Sequence, residues 1–414
     1  MKRNIGFVST RLAGTDGVSL EADKWARVFE KLGHTCFYMA GELDTPPQRS
    51  LLVEEAHFVH PEIQEIREGC FNVQFRKRAI TDKIHRLKNK LKSEVYRFVE
   101  KFKIDVLLPE NCLSIPLNIP LGVALTEFIA ETKFPTIAHH HDFFWERPRF
   151  MVNAVGDYLS MAFPPSFGSI QHVVINSVQD NQLSYRTGIS ATVIPNVMDF
   201  DNPPPPLDAY ASDVRKSLEI ADNEYFILQP TRIVQRKGIE HSIELVGQLD
   251  MPAKLVISHS SGDEGHEYKK RLENYSGMLN VNTLFASDVI SDQRGQTADG
   301  RKIYRIEDIY PHADLVTYPS DYEGFGNAFL ETIYFRKPIV VNIYSVYQMD
   351  IKPKGFQAVE LQGYVTPEAV EKAREILLNP AAAKEMTDHN YELGRMHYSY
   401  STLEIKLSAL LEGF

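Results

Sequence analysis

Two glutamates, Glu323 and Glu331, flank a glycine-rich turn in the segment PSDYEGFGNAFLETIYFRKPIVV, which begins at Pro319. An ionised carboxylate accepts hydrogen bonds and donates none, so each glutamate suits a group of hydroxyls. A sugar on one side of a phosphate and a ribose on the other would satisfy the pair. Taken singly, either residue could instead be a surface acid, or an acid favoured by the dipole at the start of a helix.

The turn between the two glutamates suits an anion. Gly324 and Gly326, separated by Phe325, let the backbone approach a ligand closely. A helix should begin near Asn327, and its free N–H groups and positive dipole end then point at whatever the turn holds. We therefore expect a phosphate at this turn.

Two cations upstream, in the segment PTRIVQRKGIEHSIEL, match this anion site. Arg232 follows a predicted strand, Tyr225 to Gln229, and Lys237 precedes a predicted helix that begins around Gly238. Arginine contributes a planar fork of donors and lysine a point charge. Together they predict a clamp for a diphosphate.

These segments together resemble the donor site of the retaining glycosyltransferases of family 4, which have the GT-B fold. IPNVMDF, from Ile194, resembles the family's passage from its first to its second domain, and YPHADLVTYPS, from Tyr310, resembles the strand before the glutamate turn. The resemblance covers most of the chain and is strongest from Ile194 to Val341.

The resemblance implies a role for each of these residues. Arg232 and Lys237 would bind the donor diphosphate and act in catalysis on the leaving phosphate, Glu323 would hold the sugar hydroxyls, and Glu331 would hold the ribose. The turn would complete the donor site with Gly324, Phe325, Gly326 and Asn327. The family further implies retention of configuration and requires no metal or other cofactor, because the cations already neutralise the diphosphate.

A second glycine turn follows the first predicted strand, in RLAGTDGVSLEAD from Arg11 to Asp23. The family places a comparable loop opposite the clamp, which makes the backbone of Gly14 and Gly17 a candidate part of the donor site. A plain connection between a strand and a helix is the alternative.

The segment HHHDFFWERPRF, from His139 to Phe150, is the least ordinary part of the first half. Alternation along a strand puts His139 and His141 on one face and His140 on the other. The family keeps a histidine beside the sugar ring at the position of His141, which implies a catalytic His141 and an Asp142 that orients it or binds acceptor. We expect structural roles for His139 and His140. A metal site here would need a third ligand, and the sequence shows no matching one.

Three further residues of this segment are candidates for acceptor binding. Trp145 could stack on a sugar face, and Arg147 and Arg149 could bind an anionic acceptor or pair with surface acids. The sequence Asp199-Phe200-Asp201 looks like the D-x-D of metal-dependent transferases, but solvated acids of a linker are the better interpretation.

Short apolar runs alternate with amphipathic helical stretches, which predicts parallel βαβ units and an α/β fold class. The resemblance specifies GT-B, two Rossmann-like domains whose parallel sheets face each other across a central cleft. Residues 1–200 would form the N-terminal acceptor domain, 201–208 a proline-rich linker, and 209–395 the C-terminal donor domain. The last helix, within residues 396–414, is implied to pack back on the first domain.

Composition narrows the class of protein. The chain has 414 residues and a formal net charge of −10, which argues against nucleic-acid binding. No run approaches the roughly twenty apolar residues of a membrane span, and the start MKRNIGFVST shows no signal-peptide pattern. The three cysteines are scattered without metal-ligand spacing. We expect a cytoplasmic protein, and its oligomeric state stays open.

A basic segment, residues 76–103, carries eleven Lys or Arg against three acids. Its apolar residues recur at helical spacing, so one face should pack against the domain. The basic face could lie on an anionic membrane, line a route for a small anionic acceptor, or simply be solvated. Packing would use the apolar positions, so membrane association is not favoured.

The predicted activity is transfer of a hexose from a nucleotide sugar, of the UDP-glucose or GDP-mannose type, to a small soluble acceptor. The acceptor is expected to be anionic, of the kind used in compatible-solute synthesis. The alternatives are a sugar-nucleotide epimerase, a glycoside phosphorylase and a transferase acting on a lipid-linked acceptor. The segment NIYSVYQMDIKPKGF, from Asn342 to Phe356, departs from the commonest family pattern, so neither base nor hexose is specified.

Overall fold

A computed structural model describes residues 2–260 and 266–414. The chain divides into two compact units: the first comprises Met1–Val197 and Tyr400–Phe414, and the second comprises Met198–Ser399. Each unit is built on its own parallel sheet.

The first unit contains a sheet whose strands are all parallel, in the order β3-β2-β1-β4-β5-β6-β7. Its strands are β1 Asn4–Val8, β2 Thr35–Ala40, β3 Ser50–Leu52, β4 Val106–Pro109, β5 Thr136–His140, β6 Ile170–Val174 and β7 Thr192–Val193. Its helices in this part of the chain are α1 Gly17–Lys31, α2 Pro61–Cys70, α3 Arg78–Phe102, α4 Ile119–Thr132, α5 Pro148–Met151, α6 Gly156–Ala162 and α7 Ser177–Thr187. β4 and β5 are buried along their whole length, as strands covered by helices on both faces should be.

The second unit contains a parallel sheet in the order β10-β9-β8-β13-β14-β15 and a small antiparallel hairpin, β11-β12. Its strands are β8 Tyr225–Gln229, β9 Ala253–Ile257, β10 Asn282–Phe285, β11 Gly295–Gln296, β12 Lys302–Ile303, β13 Leu315–Tyr318, β14 Ile339–Asn342 and β15 Val359–Leu361. Its helices are α8 Val214–Ser217, α9 Ile239–Gln248, α10 His266–Met278, α11 Ile306–Ile309, α12 Asn327–Tyr334, α13 Pro367–Leu378 and α14 Pro380–Tyr398.

The last helix, α15 Tyr400–Glu412, belongs to the first unit. Leu403 and Leu407 are fully buried in the core that Trp25 and Phe29 of α1 share. An ion pair of 2.8 Å between Lys31 Nζ and Glu404 fastens the same two helices at their surface.

The two Rossmann-like parallel sheets confirm the α/β, GT-B fold class. The strand predicted from Tyr225 to Gln229 is observed as β8, whereas the short strands β3, β7 and β15 and the hairpin were not predicted. They are two or three residues long, too short to show periodicity. Each sheet reverses its strand order beside its first strand, at β1/β4 and at β8/β13, which is where ligands of such sheets bind.

Helix α3 confirms the apolar face predicted for the basic segment. The face is buried along the whole helix at Ile80, Ile84, Leu87, Leu91, Val95, Phe98 and Phe102. Most cations of its opposite face pair with acids of neighbouring elements: Lys83–Glu65, Arg86–Glu62, Lys88–Glu127, Lys90–Glu55 and Lys92–Glu131. The surplus positive charge is therefore largely neutralised within the unit. Among the described residues, no helix is both long and apolar enough to cross a bilayer.

Candidate functional site

The loops that follow β8 and β13 touch each other at the carboxyl ends of these adjacent strands. The Asp321 N–H donates to the Arg236 carbonyl at 2.9 Å. Gly238, at φ +57°, lies so close that a Cβ there would sit 2.3 Å from the Pro319 carbonyl oxygen. Only glycine permits this backbone contact, which brings the predicted cation pair and the predicted glutamate turn together.

Glu323 lies between two cations of the β8 loop. One carboxylate oxygen pairs with Lys237 Nζ, and the other is 3.1 Å from Arg236 Nη1. Burial by itself would raise the pKa of Glu323, but the charges of Lys237 and Arg236 outweigh it and hold that pKa below its ordinary value. Tyr318 lies beneath this group, with the Lys237 ammonium 5.4 Å from its ring centroid.

Arg236 is a third cation that sequence reasoning missed. It lies beside Lys237 in the chain, and no local pattern distinguishes it as a partner of Glu323. Arg232 is solvent-exposed. Burial is the main cause that lowers the pKa values of Lys237 and His259, and the Arg232 charge lowers both further. The edge therefore carries more positive charge than the predicted clamp.

The glutamate turn leads into α12, which begins at Asn327 as predicted. Gly326 has φ +119°, and a Cβ there would lie 2.6 Å from Tyr344 Oη, so the turn requires glycine. The Tyr344 hydroxyl donates to the Phe325 carbonyl at 2.9 Å. The Phe325 side chain is 2% exposed and packs on Tyr398, so only its backbone can face a ligand.

Glu331 points to a different partner from Glu323. The Tyr310 hydroxyl donates to its Oε2 at 3.0 Å, and the Tyr310 ring stacks on Phe335. Glu331 is half-buried on α12. A carboxylate has acceptor sites for several donors, so this contact is compatible with the predicted ribose role.

The glycine turn after β1 is occupied by side chains of its own unit. Asp16 caps α1 and accepts from the N–H groups of Val18 and Ser19, and the Gly14 N–H donates to Asp44 at 2.9 Å. Gly17 is the first residue of α1. An anion predicted to bind Gly14 and Gly17 would meet two carboxylates here, which argues for the plain βα connection.

The carboxyl ends of β4 and β5 carry a buried charge cluster. His139 Nδ1 and His141 Nε2 each lie 3.0 Å from Glu110 Oε2, and all three side chains are at most 8% exposed. His140 points to the opposite face of β5, where its Nε2 is 3.0 Å from His172 Nδ1. The histidines divide between faces as alternation predicts, whereas Glu110 was missed because its role depends on pairing across strands.

Opposing effects set the pKa values in this cluster. Burial would raise the pKa of Glu110, but the charges of His139 and His141 and the hydrogen bond from His141 Nε2 hold it below its ordinary value. Burial would lower the pKa of His141, but its hydrogen bond to Glu110 and the Glu110 charge raise it above its ordinary value. Burial lowers the pKa of His139. The contact between Glu110 and His141 Nε2 therefore favours an ionised Glu110 that accepts a hydrogen bond from His141.

Glu110 is the third candidate metal ligand that the sequence did not reveal, and it lies beside His139 and His141. Their ligand atoms all lie within 4.8 Å of one another. A structural zinc site takes four protein ligands, and a catalytic one keeps an open position for water. Among the described residues this group offers two histidines and one glutamate in a nearly dry environment, which is the number of protein ligands in a catalytic site.

The acceptor candidates have partners within the unit. The Asp142 carboxylate accepts from Asn111 Nδ2 at 2.7 Å and from Arg147 Nε, so Arg147 is used in positioning. The Trp145 ring stacks on Phe143 with a centroid distance of 4.5 Å and an interplanar angle of 7°, so packing rather than a sugar covers that face. Arg149 is exposed, with its guanidinium 4.8 Å from the Phe150 ring centroid. Of the predicted acceptor residues, Arg149 is therefore the exposed cation.

Glu146 was not predicted and has an unusual environment. Its Oε2 accepts from the Phe143 N–H at 2.7 Å, and burial raises its pKa to about 7.

Just before the proline-rich linker, Asp199 accepts from the Asn202 side chain at 3.0 Å, and Phe200 is buried. A metal site would need acids that converge on one point. Here Asp199 accepts from Asn202 and Phe200 is packed in the interior, so the Asp199-Phe200-Asp201 sequence is not interpreted as a metal site.

Comparison with known proteins agrees with the site. The family model described as glycosyl transferases group 1 matches residues 211–392, which include the clamp and both glutamates. The mannosylglucosylglycerate synthase of Thermotoga maritima is 32% identical over 98% of each chain.

Solved structures share the fold at low identity. A glycosyltransferase from Rickettsia africae has a TM-score of 0.71 at 14% identity and covers 100% of this chain and 98% of its own. Anabaena HepE, solved in complex with UDP-glucose, has a TM-score of 0.61 at 13% identity over 100% of both chains. Since the identity to a curated transferase extends over nearly the whole of both chains, this chain belongs to the group 1 glycosyl transferases.

Proposed function

We propose that this glycosyltransferase moves a hexosyl group, with retention of configuration, from a nucleotide sugar to a small acceptor built on glycerate. The observation that carries the proposal is the 32% identity over 98% of both chains to a protein named mannosylglucosylglycerate synthase. That product contains mannose, glucose and a glycerate carboxylate. A mannosyl donor with a glucosylglycerate acceptor is the proposed pair.

The donor half of the reaction belongs to the edge at β8 and β13. Breaking the bond between the anomeric carbon and the diphosphate places negative charge on the leaving phosphate. Arg232, Lys237 and the N-terminus of α12 stabilise this charge, and preorganised groups in a dry site do so more strongly than water. Arg236 joins them on the structural evidence of its 3.1 Å contact with Glu323.

Glu323 has two tasks in this account. Before the donor arrives, its ion pairs hold Lys237 and Arg236 at the turn. With the donor bound, its oxygens accept from sugar hydroxyls while the cations turn toward the diphosphate. The departing phosphate takes the acceptor proton on the same face of the ring, so no separate nucleophile is required. The cations neutralise the diphosphate, so the reaction is proposed to proceed without a metal.

The acceptor half is assigned to the β4 and β5 edge of the first unit. His141 contacts a hydroxyl of the reacting sugars, and Asp142 helps to orient it. Arg149, which is exposed, is the candidate for the acceptor carboxylate. The buried free thiols of Cys36, Cys70 and Cys112 support a reducing, cytoplasmic location.

One set of incubations tests the proposal. The purified protein is given GDP-mannose or UDP-glucose alone, then with phosphate, and then with glycerate, glucosylglycerate or a lipid-linked acceptor. We expect nucleoside diphosphate release only with an anionic soluble acceptor, in step with product. Conversion of the donor alone would indicate an epimerase, dependence on phosphate a phosphorylase, and activity only on the lipid acceptor would reject the proposed substrate class.

A further inference from the structure

Strand β4 is followed by two residues, Glu110 and Asn111, that hold the His141–Asp142 pair from two directions. Glu110 is fully buried, and its Oε2 lies 3.0 Å from His141 Nε2. A carboxylate removed from water costs several kcal/mol unless it is paired and hydrogen-bonded. The buried Glu110 carboxylate therefore needs a hydrogen-bond donor, and His141 Nε2 lies at the distance of one.

Asn111 holds the backbone of the same two residues. Its Oδ1 accepts from the N–H groups of His141 at 2.9 Å and Asp142 at 3.2 Å, and its Nδ2 donates to Asp142 Oδ1 at 2.7 Å. The residue sits at φ +61°, in the left-handed region that asparagine tolerates better than most side chains. One side chain thus fixes both the chain direction after β5 and the Asp142 carboxylate.

We propose that Glu110 and Asn111 are positioning residues for glycosyl transfer: Glu110 keeps the proton of His141 on Nε2 so that only Nδ1 faces substrate, and Asn111 fixes the loop that carries it. The functional part rests on the proposed role of His141. The tautomer and the geometry do not depend on that role.

The physical reason lies in the donor and acceptor inventory. An ionised carboxylate has no proton to give, so His141 Nε2 must be the donor in this hydrogen bond. A histidine whose other ring nitrogen is fixed by a carboxylate keeps its tautomer and ring orientation. The charged groups that act on His141 are Glu110 just after β4, Glu21 on α1 and the neighbouring Asp142.

The first test is Glu110→Gln, which keeps the shape and one acceptor oxygen but removes the charge. We expect kcat to fall by about 10–100-fold, the scale for losing a group that orients a functional imidazole, with the Kd of the nucleoside diphosphate unchanged. Glu110→Asp should recover part of the loss. His172→Gln, which disrupts the buried pair on the opposite face of β5, is the control and should retain kcat. Equal losses in Glu110→Gln and His172→Gln would overturn the proposal.

The second test removes the Asn111 side chain without changing its backbone. Asn111→Gly suits the left-handed backbone and should lower kcat, whereas Asn72→Gly, at φ +58° on the surface, should not. If Glu110→Gln fails to fold, the comparison of Asn111→Gly with Asn72→Gly still tests whether this loop is positioned for transfer. Normal kcat in Asn111→Gly would contradict the role of Asn111.

The third test does not need activity. Imidazole 15N shifts of His141 should show a protonated Nε2 in the wild type, and a changed signal in Glu110→Gln. If the shifts behave so and no transfer occurs, the proposed function has failed and the tautomer assignment has not. An unchanged signal would overturn the assignment, as would a stoichiometric metal ion in the purified protein that Glu110→Gln no longer holds.

Discussion

Different kinds of side chain lie at the carboxyl ends of β8 and β13 and at the carboxyl ends of β4 and β5. The first carries cations and carboxylates on adjacent loops, partly open to solvent, with Arg232 exposed. The second carries a carboxylate and histidines that are nearly or fully buried on neighbouring strands. A site on loops can exchange its internal ion pairs for a charged ligand, whereas a buried site must satisfy its charges permanently, so it suits orientation more than binding.

The comparison predicts its largest effect at the loop site. Lys237→Ala should reduce turnover by roughly 100-fold or more, the scale for losing a charged group that acts on a developing anion. Gln235→Ala, an exposed neighbour in the same turn, is the matched control and should leave steady-state kinetics unchanged. Wild-type turnover in Lys237→Ala would remove the clamp from the account.

The same contrast explains what the sequence could predict. Arg232, Lys237, Glu323 and Glu331 are recognisable because glycines and helix starts lie beside them in the chain. Glu110 became visible only when β4 and β5 paired, because partners separated by almost thirty residues leave no local pattern. The fold class followed from alternating apolar runs, whereas β3 and β15 are too short to show a period. Trp145 and Arg147 were predicted to bind the acceptor because one segment of sequence does not show which neighbours will pack against its side chains.

The buried first-unit histidines predict acid sensitivity. Burial lowers the pKa of His172 to about 4, so between about pH 4 and 6.5 the unfolded chain binds more protons at this residue than the native one. Stability should therefore rise with pH across this window. His172 alone should make the unfolding free energy about 2 kcal/mol smaller at pH 5 than at pH 7.

Urea titrations of wild type and His172→Gln at both pH values isolate this contribution from those of His139 and His140, whose pKa values are also lowered, and of His141, whose shift has the opposite sign. The difference in unfolding free energy between the two pH values should be about 2 kcal/mol smaller in the variant. An identical pH dependence in both proteins would mean that His172 titrates normally in the folded state.

A smaller effect concerns the glutamate turn. Tyr344→Phe removes the hydroxyl that donates to the Phe325 carbonyl, which should lower the unfolding free energy by about 1 kcal/mol and reduce turnover a few-fold. Tyr347→Phe removes a comparable bond to Glu360 at 3.0 Å and should lower stability alone. Equal turnover in the two variants would show that the Tyr344 hydroxyl does not contribute to the function of the turn.

The most direct test of the donor edge is calorimetry with the free nucleoside diphosphate. If Glu331 holds the ribose, Glu331→Ala should weaken this ligand by about tenfold, the scale for a lost hydrogen bond to a charged group. Glu323→Ala leaves Lys237 and Arg236 without their shared carboxylate, so nucleotide binding should be equal or tighter while the sugar nucleotide loses affinity or turnover. Unchanged binding in Glu331→Ala together with a large loss in Glu323→Ala would contradict the assignment of ribose and sugar to these two glutamates.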